Sequence, residues 1–399
     1  MRGTAAGGVG SFPRFLALYG ALFAAFGAAS PFLPGLLEQR GLGPEQIGAV
    51  LAAGTATRLI AGPAGGRLAD RLGARRPVLV ALAAASAAVA LGYLLPGGFQ
   101  TLLLVSVLHA AVLAPVVPLA DTLALAAAPG RFAYGWVRGA GSAAFVAGAT
   151  GAGQTIAALG LASLVWMNAG LLAVAALAAV RVPEAAAVAT PVRDAPAARA
   201  LLRVPGFVRL MAVVALVMGS HALHDGFVVL RWREAGIGPA AAGLLWSEAV
   251  LAEVFVFVVA GDAMLRRLGT RGAALLAAAA GTVRWCVTAS TAWLPAMALV
   301  EPLHGLTFAL LHLACVKRLA ATVPPHLAAT AQAAYGTLAV GAVSAVLTLV
   351  SGPLYGRFGS GAFWAMAALC AAAAPVAWGL AAAGPPPGPA ASPADATRG

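Results

Sequence analysis

Apolar residues run along this chain in long blocks separated by short polar turns, and the blocks leave almost nothing over. Crossing the hydrocarbon of a bilayer takes about 20 residues of helix. The pattern predicts twelve spans, at 13–37, 44–66, 76–95, 100–128, 132–158, 161–182, 205–231, 239–264, 271–291, 293–319, 326–355 and 361–383. Backbone polar groups in hydrocarbon need partners inside the structure, which leaves helices or closed barrels. The blocks lack the two-residue alternation of barrel strands. The fold class is therefore all-α integral membrane, with twelve transmembrane helices.

Residues 183–204, rich in Pro, Ala and Arg, form the only long interior break and divide the helices six and six. The expected domains are an N-terminal six-helix half over 1–182, a linker over 183–204 and a C-terminal half over 205–383. Internal similarity agrees with that division. Arg71-Leu72-Gly73 recurs as Arg267-Leu268-Gly269, Tyr134-Gly135 as Tyr335-Gly336, and Trp166 as Trp364, the signature of two parallel repeats. The tail 384–399, opening Gly384-Pro385-Pro386-Pro387-Gly388, is low-complexity and expected to be disordered.

Composition sharpens this picture. Of 399 residues, 61% are apolar and 10% charged, which leaves no room for a separate soluble domain. The net charge of +12 does not point to a nucleic-acid partner, because of where it lies. Arg71, Arg75, Arg76, Arg131, Arg193, Arg203, Arg266, Arg267, Lys317 and Arg318 fall on one side of the predicted bundle, and Arg40, Arg231, Arg233 and Arg357 on the other. That asymmetry is the positive-inside pattern. It places both termini in the cytoplasm of a multi-pass protein of the bacterial inner membrane, bathed in lipid and expected to be a monomer. The first block is too long for a signal-peptide core and reads as an uncleaved span. Cys286, Cys315 and Cys370 all lie in apolar runs and give neither a disulfide framework nor a metal site. No nucleophile–base arrangement, phosphate loop or metal cluster suggests an enzyme or a cofactor.

Ionisable residues inside spans are costly and mark function by default. Here they include Arg58, His109, Asp121, Arg138, His221, Asp225, Glu248, Glu253, Arg284, Glu301, His304 and His312. Helices joined by a tight turn hold residues equidistant from it at one depth. Asp121 and Arg138 are equidistant about Pro129-Gly130 and should face each other, as a structural pair or a substrate site. Glu253 and Arg284 are equidistant about Leu268-Gly269, and Arg284 and Glu301 about Ala292-Trp293. Glu301, His304, Phe308 and His312 follow i, i+3, i+7, i+11 spacing and share one helical face. Glu and His together can take and release a proton near neutral pH. His221, His224 and Asp225 could lie near the outer end of their span, Glu248 could face another helix, and Arg58 is as readily structural as functional. Trp136, Trp246 and Trp285 adjoin Arg138, Glu248 and Arg284 as packing residues or as an aromatic cavity wall.

The polar island Gly66-Arg67-Leu68-Ala69-Asp70-Arg71-Leu72-Gly73-Ala74-Arg75-Arg76 resembles the loop between helices two and three of the major facilitator superfamily. The resemblance implies a cytoplasmic gating loop carried by Gly66, Asp70, Arg71, Gly73, Arg75 and Arg76. Pro118-Leu119-Ala120-Asp121, Tyr134-Gly135-Trp136-Val137-Arg138, Ala252-Glu253-Val254, Val283-Arg284-Trp285 and Leu303-His304-Gly305-Leu306-Thr307-Phe308 look like the phenylpropionic-acid permease group, relatives of the lactose and nucleoside proton symporters. By that likeness Asp121 and Arg138 are similar to the substrate-site pair of lactose permease. Glu253, Arg284, Glu301 and His304 are similar to its proton machinery, although here the Glu precedes the His. The resemblance implies a proton-coupled symporter of a small organic substrate, with Asp121, Trp136, Arg138, Trp285, Phe308 and His312 as candidate substrate contacts. A proton-antiport exporter and a non-transporting membrane sensor are the competing expectations.

Overall fold

The computed structural model describes residues 10–184 and 198–380. Most of the expected linker, with Arg193, and the tail 384–399 lie outside these residues. Nine helical stretches among the described residues are long and apolar enough to cross a membrane. They give the first span as Ser11–Gln39, the second as Pro44–Leu72, the third as Arg75–Leu94, the fourth as Phe99–Ala127, the sixth as Ser163–Arg181, the seventh as Phe207–Glu234 and the tenth as Leu294–Thr322. Two more, Pro239–Ser290 and Pro325–Trp378, are far too long for one crossing. Each breaks at a glycine in the left-handed region, Gly269 (φ 63°) and Gly359 (φ 53°), and so supplies two spans, the eighth with the ninth and the eleventh with the twelfth. Tyr134–Leu159, diluted by glycine, is the fifth. Twelve crossings result, as the apolar blocks predict.

The repeat read from Arg-Leu-Gly is physical. Gly73 (φ 60°) and Gly269 (φ 63°) both adopt the left-handed conformation that a side chain resists, and each reverses the chain between two spans. The polar island is less of a loop than its composition suggests. Gly66, Asp70 and Arg71 belong to the second helix, which runs to Leu72, because nothing stops it before Gly73. Only Gly73 and Ala74 turn. Arg75 then reaches back to Asp70, Nη2 to Oδ1 at 2.8 Å, and Glu184 at the end of the sixth span accepts from the Arg76 amide at 3.1 Å.

The first six spans share an apolar core of their own, including Phe15, Leu18, Leu79, Leu119 and Leu172. They meet the last six closely at one rim, where the first span ends and the second begins. A Cβ on Gly48 would lie 2.9 Å from the Cα of Gly352, and one on Gly352 would lie 2.6 Å from the carbonyl oxygen of Pro44. The fifth and eighth spans repeat this, with Gly153 2.5 Å from the Pro239 carbonyl and Gly243 2.6 Å from that of Ala149. Small residues permit such backbone contact between membrane helices. An ion pair between Glu38 and Arg233 ties the first span to the seventh at the same rim. At the opposite rim, which carries the ends Ser11 and Trp378, the glycines Gly66, Gly135, Gly139 and Gly336 would meet nothing within 4 Å. The two bundles are thus sealed main chain to main chain at one rim, and none of these close glycine contacts recurs at the other.

Candidate functional site

The seventh span carries the polar heart of the molecule because it breaks at its middle. Helix Phe207–Gly219 ends at Ser220 and helix His221–Glu234 resumes. His221 and His224 follow the break directly, and both are buried. The tenth span deviates from α geometry for a different reason. Pro302 withholds an amide, Glu301–Leu303 tightens to a 3-10 turn, and Gly305–Leu310 widens to a π turn.

Arg284 and Glu301, neither exposed at all, meet at 2.5 Å, Nη2 to Oε2. The same Nη2 lies 3.1 Å from His224 Nε2, which is itself 3.2 Å from Glu301 Oε2. Nη1 of Arg284 donates to His304 Nδ1 at 3.2 Å, and His304 Nε2 stands 3.4 Å from Glu253 Oε2. An arginine has no lone pair to accept with. His304 therefore accepts at Nδ1, and when neutral carries its proton on Nε2, toward Glu253. His224 has two choices. With Nε2 bare it accepts from Arg284; with Nε2 protonated it donates to Glu301. Its Nδ1 faces Asp225 Oδ1 at 3.2 Å, and Asp225 is largely exposed. One proton on His224 thus exchanges partners within the ion pair, and Asp225 connects it to the open space.

Aromatic rings frame the group. Trp246 stacks on His224 at 5.1 Å, and the Trp285 ring lies under the Arg284 guanidinium at 4.5 Å. Trp285 Nε1 donates to Ser220 Oγ at 2.8 Å, fixing the break in the seventh span. His304 and Phe308 stack nearly parallel at 5.5 Å, and Phe308 continues onto His312 at 6.4 Å. His312 Nδ1 is 2.6 Å from the Tyr335 hydroxyl.

The family model described as MFS_1 like matches residues 14–366. The chain belongs to that family. This major facilitator protein is 33% identical over 366 residues to the probable 3-phenylpropionic acid transporter of Escherichia coli (strain K12), covering 89% of this chain and 94% of the relative. It is 28% identical over 363 residues to the maltose permease of Geobacillus stearothermophilus, covering 90% and 91%. Among solved structures it resembles the nucleoside transporter NupG, with a TM-score of 0.80 at 14% identity over 93% of this chain and 98% of that one. A bacterial homologue of the lysosomal transporter Spinster gives 0.70 at 14% identity over 92% and 95%. The fold is the major facilitator fold, and the protein is a multi-pass membrane transporter rather than an enzyme.

In this facilitator the four residues Glu253, Arg284, Glu301 and His304 are contiguous, but in an order that depth alone does not give. Arg284 touches Glu301 directly and reaches Glu253 only through His304. The stripe on the tenth span divides: Glu301 turns into the buried pair, while His304, Phe308 and His312 form the stack. Two expectations need correction. Asp121 and Arg138 do not pair. Asp121 Oδ1 accepts from Tyr19 at 2.5 Å and from Tyr134 at 2.8 Å, while the exposed Arg138 rests over the Phe23 ring at 4.4 Å. Tyr19 is buried and its hydroxyl needs an acceptor inside the protein, whereas a solvated guanidinium needs no protein partner. Trp136 is 73% exposed and lies about 160° around its helix from Arg138, so the two cannot line one wall. Trp285 is buried behind Arg284 rather than facing open space.

His221 and His224 are the residues that sequence reasoning undervalued. His221 Nε2 lies 2.9 Å from Thr307 Oγ1, and its ring meets His304 edge-on at 5.1 Å. A signal was present, since residue 221 is the midpoint of the seventh span and its two histidines are one turn apart.

Proposed function

We propose that the protein is a proton-coupled symporter of a small organic substrate, of the aromatic carboxylate class, acting as a monomer by alternating access. The observation that carries the reading is the buried Arg284–Glu301 pair with His224 within reach of both partners. A charge pair of this kind strongly resists losing one member, about 3–5 kcal/mol for a buried pair. Protonation of His224 or of the His304–Glu253 arm changes who holds Arg284, and so can favour one packing of the seventh, ninth and tenth spans over another. The carboxylate class rests on the relative at 33% identity, the probable 3-phenylpropionic acid transporter.

The halves 1–182 and 205–383 would move against each other, joined by the linker 183–204. The rim bearing the ends also bears Arg71, Arg75, Arg76, Arg131, Arg266, Arg267 and Lys317, which supports its facing the cytoplasm. The conformation is then inward-open, with the Asp70–Arg75 turn at the moving cytoplasmic edge. Phe308 and His312 would line the substrate's path, and Asp121, fixed by Tyr19 and Tyr134, would shape its cytoplasmic end.

Uptake in proteoliposomes tests the reading. Glu253→Gln and Glu301→Gln should each abolish uphill uptake driven by a pH gradient while substrate exchange stays measurable. Unaltered uphill uptake in both variants would discard the coupling assignment. Uphill export from cells, with protons moving opposite to substrate, would favour the exporter, and the absence of any substrate-dependent flux the non-transporting sensor.

A further inference from the structure

The C-terminal half pairs its charges at mid-depth, with Glu248 the exception; in the N-terminal half Arg58 and Arg138 stand unpaired among the described residues. Glu253, Arg284, Glu301, His304 and Asp225 all have ionic or histidine partners. Among the described residues, Arg58, Arg138 and Glu248 make no ion pair and no side-chain hydrogen bond within the spans. Arg138 lies one turn inside the open rim with its cation over Phe23. Glu248 lies toward the sealed rim. Arg58 is different, because it stands at the midpoint of the second span, Pro44–Leu72.

Helical phase shows which way Arg58 faces. Ile60, 75% exposed, marks the lipid side, and Arg58 lies about 160° from it. The second span meets the fourth through Gly54 and Gly65, which approach Ser106 and Pro115, and meets the seventh through Leu51, which approaches Gly226. Arg58 falls between those two faces. It is exposed nonetheless, so the space it sees is the gap between the bundles rather than lipid.

A second polar group waits at the same level. The second and fourth spans run parallel, and Gly54 sits against Ser106 and Ala110 while Gly62 sits against Ala114. Arg58 is therefore level, within about one turn, with His109. That imidazole is 9% exposed, lies edge-on to Tyr93 at 5.8 Å, and its Nε2 has no hydrogen-bond partner among the described residues. A buried ring nitrogen without a partner, level with an unpaired cation at mid-depth, is half of a polar interaction.

We propose that Arg58 holds the anionic group of the transported substrate, with His109 as a second hydrogen-bond donor. A guanidinium presents two parallel N–H groups to a carboxylate, which a neutral analogue cannot use. Arg284 cannot serve, because Glu301 already occupies it. The anion site then stands in the half opposite the coupling group, and substrate bound to Arg58 bridges the gap toward the His304–Phe308 stack. The inference rests on the carboxylate reading above and deepens it.

Binding to purified full-length protein tests this, with 3-phenylpropionate and its neutral amide as probes. The wild type should prefer the carboxylate at least tenfold. Arg58→Gln should weaken carboxylate binding tenfold or more, to the level of the amide, while amide binding shifts less than threefold. His109→Gln should cost the carboxylate about threefold and the amide nothing. A full wild-type preference in Arg58→Gln overturns the proposal, as does loss of preference in Arg138→Gln alone. If Arg58→Gln does not fold, Arg58→Lys decides: the bidentate geometry is gone, so at least a threefold fall is expected, and none overturns it. A wild type with no preference for the carboxylate would instead sink the substrate class, and the anion site with it.

Discussion

Arg284 and Glu301 meet at 2.5 Å with no exposure to solvent, and His224 is within hydrogen-bond distance of both. Two of their polar atoms, Arg284 Nε and Glu301 Oε1, have no hydrogen-bond partner among the described residues. A pair held this way is sensitive to the loss of either charge. Glu301→Gln should lower the stability of purified protein by about 3–5 kcal/mol, read as a clear fall in melting temperature. Replacing both Arg284 and Glu301 by Met should recover most of that loss without restoring coupled uptake. A double variant no more stable than the single one would contradict the account.

His224 should carry pH dependence. With Nε2 bare it accepts from Arg284, and with Nε2 protonated it donates to Glu301, so protonation changes which residue restrains the arginine. Wild-type uptake should rise as the pH falls on the sealed side. His224→Gln should flatten that rise at least tenfold while leaving downhill flux measurable. Identical pH profiles for the two proteins would remove His224 from the coupling group.

The tyrosines around Asp121 should matter more than the arginine expected there. Hydrogen bonds to a charged group contribute about 1.5–3 kcal/mol, so Tyr19→Phe should destabilise by an amount of that order. Arg138→Gln, which removes only an exposed cation over Phe23, should leave the melting temperature within a degree or two. The reverse ranking would restore the Asp121–Arg138 pair.

Two tryptophans separate cavity from lipid. Trp246 stacks on His224, and its replacement by Ala should weaken substrate-driven proton uptake. Trp136→Ala, on the outward face, should leave substrate binding within about twofold of wild type. Equal losses from both would put Trp136 back on the cavity wall.

Backbone contact at the sealed rim predicts a conformational effect. Gly48→Leu and Gly243→Leu would each place a side chain where backbone atoms already stand closer than 3 Å. Both should hold the rim apart. A cysteine in place of Asp225 should then become reactive to a membrane-impermeant thiol reagent added on the sealed side. Unchanged protection would show that the rim closes by other contacts.

The number of spans and the turn at Gly269 are legible in the sequence because hydrocarbon thickness and the left-handed glycine leave little choice. The same constraints brought Arg284, Glu301, His304 and Glu253 to one level. Depth arithmetic fixes height but not azimuth, and there it failed. Asp121 found Tyr19, on a span far off in sequence, in place of Arg138. Trp136, two residues before Arg138, lies about 160° around the helix from it, on the opposite face. The importance of His224 depended on a break at Ser220, which Gly219 precedes but no Pro marks. Residues 66 to 72 read as a loop by composition, yet continue the helix through Gly66 as far as the positive-φ Gly73.

The seam between Gly48 and Gly352, like that between Gly243 and Ala149, is made of bare main chain. Where main chain meets main chain nothing must change rotamer when the two bundles separate. The side-chain fastenings that must then break are the Glu38–Arg233 clasp, the Thr150–Ser247 hydrogen bond at 2.8 Å and an apolar cluster that joins Phe32 and Leu36 to Phe227 and Leu230. These break together as the surfaces part, so one proton or one bound anion at mid-depth can decide which side the transporter faces.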